Sequence, residues 1–159
     1  MNSLVENYYP TFELYQSLRS QLMQTLSDED LLFEPGGENK TLGVLCREIG
    51  EVEHSYIDSF KTFTQNFDYR NDQPGLAEST ERLSAWFADL DRQLKSAVSA
   101  LTEDDLMNRA IDRGGGFVSP PAIQLDIYKE ALLIFDGKVD IYLKALGKPR
   151  PDQWVAWID

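Results

Sequence analysis

Apolar residues recur at spacings of three and four along four long stretches of the chain, and segments rich in polar residues, glycine and proline separate them. Phe12, Tyr15, Leu18, Leu22 and Leu26 predict a first helix from about Pro10 to Leu26, broken by Ser27-Asp28-Glu29-Asp30 and then Pro35-Gly36-Gly37. A second opens at Thr41, an N-cap residue, and carries the cleanest stripe: Leu42, Leu45, Ile49, Val52, Tyr56, Phe60 and Phe63. Residues 64–75 are polar and hold Asn71, Asp72, Pro74 and Gly75, too long a run for a tight turn. They predict a crossover between non-adjacent or staggered helices. Leu83, Phe87, Leu90, Leu94, Val98 and Leu101 mark the third helix. The fourth starts at Ser119-Pro120-Pro121, with Ser119 as the cap, and continues to Leu146 before Gly147 and Pro149 stop it. Only a short segment around Phe117 offers any strand character. The expectation is an all-α four-helix bundle with a long crossover loop near 64–75. A short aromatic tail, Trp154-Val155-Ala156-Trp157-Ile158, should pack back on the helices because two exposed indoles are unfavourable.

At 159 residues the chain reads as one domain, 1–159, with enough length to bury a core unaided. Its 27 acidic and 15 basic residues leave a formal charge of -12, a field that repels phosphate backbones and anionic lipid. Neither nucleic acid nor membrane is expected as a partner. Cys46 is the single cysteine, so no internal disulfide can form, and no signal-peptide pattern or membrane-length apolar run is present. A cytoplasmic location is expected.

The chain has one histidine, His54, and it closes a Glu51-Val52-Glu53-His54 sequence. Glu-x-x-His places two metal-capable side chains one helical turn apart, which is half of a carboxylate-bridged site. The other half, a second Glu-x-x-His with two more glutamates, is missing. Glu51, His54 and Asp58 share a helix face, so the plainest reading of His54 is a rim residue held by carboxylates. Gly114-Gly115-Gly116 lacks both the preceding strand and the following Lys-Ser/Thr of a phosphate loop and reads as a connection. Cys46 falls within the second helix's stripe region and reads as a small buried hydrophobe.

Phe135-Asp136-Gly137-Lys138-Val139-Asp140-Ile141-Tyr142-Leu143-Lys144-Ala145-Leu146-Gly147-Lys148-Pro149-Arg150-Pro151 resembles the end of the last helix in the DinB/YfiT-like superfamily, where a His-His-Arg-Gly-Gln run leads into Tyr-Leu-Arg-x-Leu-Gly-x-x-Pro. Thr41-Leu42-Gly43-Val44-Leu45-Cys46-Arg47-Glu48-Ile49 resembles the family's second-helix opening, in which a metal-binding histidine stands seven residues after the Ser/Thr. Leu101-Thr102-Glu103-Asp104-Asp105-Leu106 and the glycine run before Ser119 fall in the family's order, so the resemblance covers nearly the whole chain.

The resemblance implies a four-helix bundle, a habit of dimerising, and metal-dependent hydrolase-like or thiol S-transferase chemistry at a three-histidine site. Carried over position by position, those ligands fall on Glu48, Ala131 and Phe135, of which only Glu48 has a donor atom. No cofactor is therefore expected. The expected function is a non-catalytic, metal-free bundle whose inter-helix pocket, near Glu48, Ala131 and Phe135, takes a small apolar or amphipathic molecule, the whole forming a homodimer. In that pocket a buried Glu48 should show a raised pKa or find Gln124, Tyr128 or Lys138 as a partner. The alternative is a metal-dependent enzyme with noncanonical ligands: Glu48 with Asp126 and Glu130 would form an all-oxygen cluster suited to magnesium, manganese or calcium, and His54 is a further candidate.

Overall fold

A computed structural model describes residues 1–159, and in chain order its helices are α1 (Ser3–Asn7), α2 (Tyr9–Thr25), α3 (Leu42–Thr62), α4 (Thr80–Ser99), α5 (Glu103–Asn108), α6 (Pro121–Leu146) and α7 (Asp152–Trp157). The four predicted helices are α2, α3, α4 and α6. Thr41 caps α3 as its spacing implied, its hydroxyl accepting from Val44 N at 3.3 Å. At the other end Phe63 takes the left-handed conformation, φ 57°, and closes the helix without a glycine. The start of α6 differs from expectation. Ser119 belongs to a strand, β2 (Val118–Ser119), which pairs antiparallel with β1 (Ile111–Asp112) across the glycine turn, and Pro120 flanks the helix. The backbone of Ser119 is thus committed to the strand pair, while proline geometry alone pre-sets the helical start.

The helices bury one apolar cluster of 32 side chains. Contacts between side chains set their directions. Tyr56 of α3 meets Tyr128 of α6 while Tyr142, further along α6, bonds back to Lys40 just before α3, so these two helices are antiparallel. Between α3 and α4 the order is different. A Cβ on Gly43 would stand 1.8 Å from the carbonyl oxygen of Ala77, just before α4, and one on Gly50 would stand 2.4 Å from the Trp86 ring. Both positions advance together, so α3 and α4 are parallel neighbours. The crossover loop is long for that reason, as its length implied, and of the two arrangements left open, non-adjacent or staggered helices, the first is ruled out because α3 and α4 are neighbours.

The loop lies along α3 as a strap. Gln65 N bonds to Asp112 O, Tyr69 stacks on His54, Asn71 N bonds to Glu51, and Ala77 abuts Gly43, so the chain retraces α3 from its end to its beginning. Of the two tail tryptophans, Trp154 is fully buried and donates from Nε1 to Leu18 O at 2.9 Å. Trp157 remains 43% exposed with one face toward Tyr15, so only half of the expected tail packing is realised: the six-residue α7 turns one indole inward and the other to the surface. No helix is long and apolar enough to cross a membrane.

Candidate functional site

A pocket of about 260 Å³ opens between α3 and α6, walled by Leu45, Ile49 and Val52 on one side and Ala131, Ile134 and Phe135 on the other. The α6 residues are spaced i, i+3, i+4, and Lys138 at i+7 extends the same face to the pocket's rim. The only other charged lining residue is Glu48. A second hollow of about 300 Å³ shares Leu45, Glu48 and Lys138 and continues past Lys40 and Tyr142. Together they form a groove, apolar at one end and polar at the other.

Glu48 is not buried in it. Its carboxylate is about one-third exposed and pairs with Lys40, a residue the sequence pattern did not single out. The expectation of a buried Glu48 partnered by Gln124, Tyr128 or Lys138 is therefore corrected. Gln124 is fully buried elsewhere, donating to Ser59 and Gln65 and accepting from Arg113 at 2.7 Å. Tyr128 is packed against Phe12 and Tyr56 in the core. Of the proposed lining residues only Glu48, Ala131, Phe135 and Lys138 meet in the groove.

Glu51 and His54 serve the strap. Glu51 Oε1 accepts from Asn71 N at 3.0 Å and has Arg47 Nε 3.4 Å away. The His54 ring stacks on Tyr69 at 3.6 Å between centroids and 9° between planes, and its Nδ1 lies 3.5 Å from Asp58. Both halves of the Glu-x-x-His pattern thus clasp the crossover loop to α3.

Comparisons with known proteins agree with this architecture. The DinB superfamily matches residues 12–128, more than half of the chain. The chain belongs to the DinB superfamily. Two solved structures have its fold: a DinB-like protein from Bacillus cereus ATCC 10987, TM-score 0.77 at 18% identity over 92% of this chain and 95% of that one, and a DinB-like protein from Bacillus subtilis, TM-score 0.70 at 16% identity over 94% and 96%. A search of curated proteins found no match.

At Glu48, Ala131 and Phe135, the positions to which the resemblance carries a ligand set, this DinB-superfamily chain does not present donors that fit a transition metal. A methyl group and a phenyl ring stand at Ala131 and Phe135, and the Glu48 carboxylate is already engaged by Lys40. Nor do the alternative ligands assemble. Asp126 accepts from Tyr8 and from Lys129, the latter at 2.7 Å, Glu130 is exposed, and His54 is turned to the strap. No three His, Cys, Asp or Glu side chains lie close enough to share an ion. Cys46 is fully buried, and burial pushes its thiol up to about 12, so it is no nucleophile at neutral pH.

Elsewhere the bundle holds ionic groups that the periodicity did not reveal. Arg19 of α2, 1% exposed, donates from Nη1 to Glu53 Oε2 of α3 at 2.5 Å and from Nη2 to Asp91 Oδ1 of α4 at 2.8 Å. Gln16 adds a bond to Asp91 at 2.6 Å, and the guanidinium sits 4.1 Å over the Phe87 ring. Burial, helped by neighbouring Glu53, raises the Asp91 pKa despite Arg19. Asp136 of α6 is 1% exposed, and its Oδ1 lacks a hydrogen-bond partner. Burial raises it to about 7, with Arg19 the one charge opposing the shift. A sequence signal for Arg19 existed: Phe12, Gln16, Arg19 and Met23 follow core spacing on α2.

Proposed function

We propose that this DinB-superfamily chain is a metal-free binding protein without catalytic activity, whose α3–α6 groove takes a small apolar or amphipathic molecule. One observation carries the reading: where three donor residues would converge, methyl and phenyl groups complete an apolar wall of six side chains, and the lone carboxylate is spent on Lys40. Such a wall releases water on binding and offers little to a hydrated cation. A second copy of the chain, packed over Ile123, Ile134 and Ile141, which are exposed on one face of α6, would cover the open side of the groove.

The test is metal analysis of untagged protein after incubation with zinc, nickel and manganese and desalting, with sedimentation velocity on the same preparation. Substoichiometric metal, a melting temperature indifferent to chelator and a dimeric sedimentation coefficient are expected. Near-stoichiometric metal that disappears in Glu48→Ala overturns the metal-free reading in favour of an enzyme with noncanonical ligands, and a monomer overturns the pairing.

A further inference from the structure

Eleven of the 15 basic side chains form ion pairs with carboxylates, and four do not: Arg70, Arg82, Arg113 and Lys138. The three arginines still donate to protein oxygens, Arg70 to the carbonyls of Phe67 and Tyr69, Arg82 to that of Pro74, and Arg113 to Gln124. Lys138 donates to nothing. In a chain with nearly twice as many acids as bases, an ammonium left without a carboxylate is a local exception to the overall charge.

Its position gives the exception a use. Lys138 lies one turn beyond Ile134 and Phe135 on the same face of α6, so its stem extends the apolar wall and its ammonium ends the wall at the rim. Glu48, the one carboxylate lining that pocket, is held by Lys40. Glu38 faces the outer hollow from an exposed turn and forms no ion pair with Lys138. The pocket therefore presents one unneutralised positive charge beside an apolar cavity of about 260 Å³.

We propose that the groove selects an amphipathic monoanion, a carboxylate on a short apolar chain, with the anion on Lys138 and the chain between Ile49, Val52, Ala131 and Phe135. The inference rests on the binding reading above and adds the charge of what binds. A neutral molecule of the same shape would fill the apolar wall and leave the ammonium unused. A cationic one would meet Lys138 directly and be disfavoured.

Isothermal titration with octanoate, 1-octanol and octylamine tests it on wild type, Lys138→Met and Lys138→Glu. Wild type should bind octanoate about two- to fivefold more tightly than 1-octanol, the range for one partly exposed ion pair. Lys138→Met should erase that preference and leave 1-octanol affinity unchanged; Lys138→Glu should reverse it toward octylamine. Because the Lys138 ammonium has no hydrogen bond or ion pair, neither substitution removes a polar interaction of the fold, and unchanged melting curves verify this. Equal binding of octanoate and 1-octanol by wild type, or a preference that survives in Lys138→Met, overturns the anion inference while the apolar pocket stands. Binding of none of the three by wild type overturns the pocket reading itself.

Discussion

Glu53 and Glu48 are the same side chain five residues apart on α3, and they lead opposite lives. Glu53 is fully buried between helices and receives a guanidinium at 2.5 Å, while Glu48 looks out over the groove, about one-third exposed, with a lysine for company. In the interior, charge is tolerated only when matched by a rigid, well-placed partner, because an unpaired ion there loses its hydration without return. At the groove, water supplies what a partner does not, and so Lys138 can stay unmatched. Function has room only where charge need not be matched. The interior cluster ties α2, α3 and α4 together and has no spare valence for a ligand, whereas the groove holds both unfilled apolar surface and an unspent charge.

The contrast is tested most severely by Arg19→Met. Methionine keeps much of the packing over Phe87 but strands a fully buried Glu53, and a part-buried Asp91 beside it, with no cation. Breaking a buried pair from one side costs about 3–5 kcal/mol, which for a chain of this size lowers the melting temperature by roughly 10 °C. Thermal denaturation of the variant at pH 7 measures it. A fall of only a degree or two would mean that water reaches the cluster and that the two regions differ less than their burial implies.

Asp136 makes the stability of the interior depend on pH. Its native pKa of about 7 stands above the unfolded value of 3.8, so between these the native state holds a proton that the unfolded chain has released. Stability contributed by that proton is complete below pH 4, declines as pH rises toward 7 and is gone above it. Asp91, raised by burial too, acts in the same direction. Asp136→Asn removes the titration, so the variant should match wild type near pH 4 and exceed it by roughly 2–4 kcal/mol at pH 8. Guanidinium denaturation at the two pH values gives the difference directly; an equal difference at both would show that the carboxyl stays ionised throughout.

Why one region was legible in the sequence and the other was not follows from what periodicity records. The four helices, the Thr41 cap and the stop at Gly147 could be read because local chemistry dictates them. The length of residues 64–75 correctly announced a crossover, but helix direction depends on long-range packing. The close approaches at Gly43 and Gly50 of α3, seven residues apart on one face, were its only trace. Glu48, Ala131 and Phe135 were brought together by family resemblance, and Lys138 was named only as a partner for Glu48. Lys40 was invisible because it precedes α3 and reaches Glu48 across a turn of chain that no pattern governs. Leu45 and Val52 were assigned to the core stripe, and both are only half-buried: the stripe on α3 is wider than the face its neighbours cover, and the surplus lines the pocket. Arg19 and Glu53 were missed for the complementary reason, since charged residues at core spacing look like a flaw in the pattern until their partner helices are known.

The smallest effect belongs to Glu48→Gln. The substitution keeps shape and hydrogen-bonding capacity and deletes only the charge facing Lys40. Both side chains of that pair are exposed by a third or more, so solvent screens their attraction and the loss should be at most about 1 kcal/mol, within about 3 °C in melting temperature. The ligand side should respond more than the fold does. Freed from Glu48, Lys40 becomes a second positive group beside Lys138 at the same hollow, so the groove's preference for octanoate over 1-octanol should increase modestly, and the gain should shrink as salt is added. A large loss of stability instead would show that Glu48 is held as tightly as Glu53. The two glutamates of α3 would then obey one rule, and the groove would be an extension of the core with no unspent charge to offer.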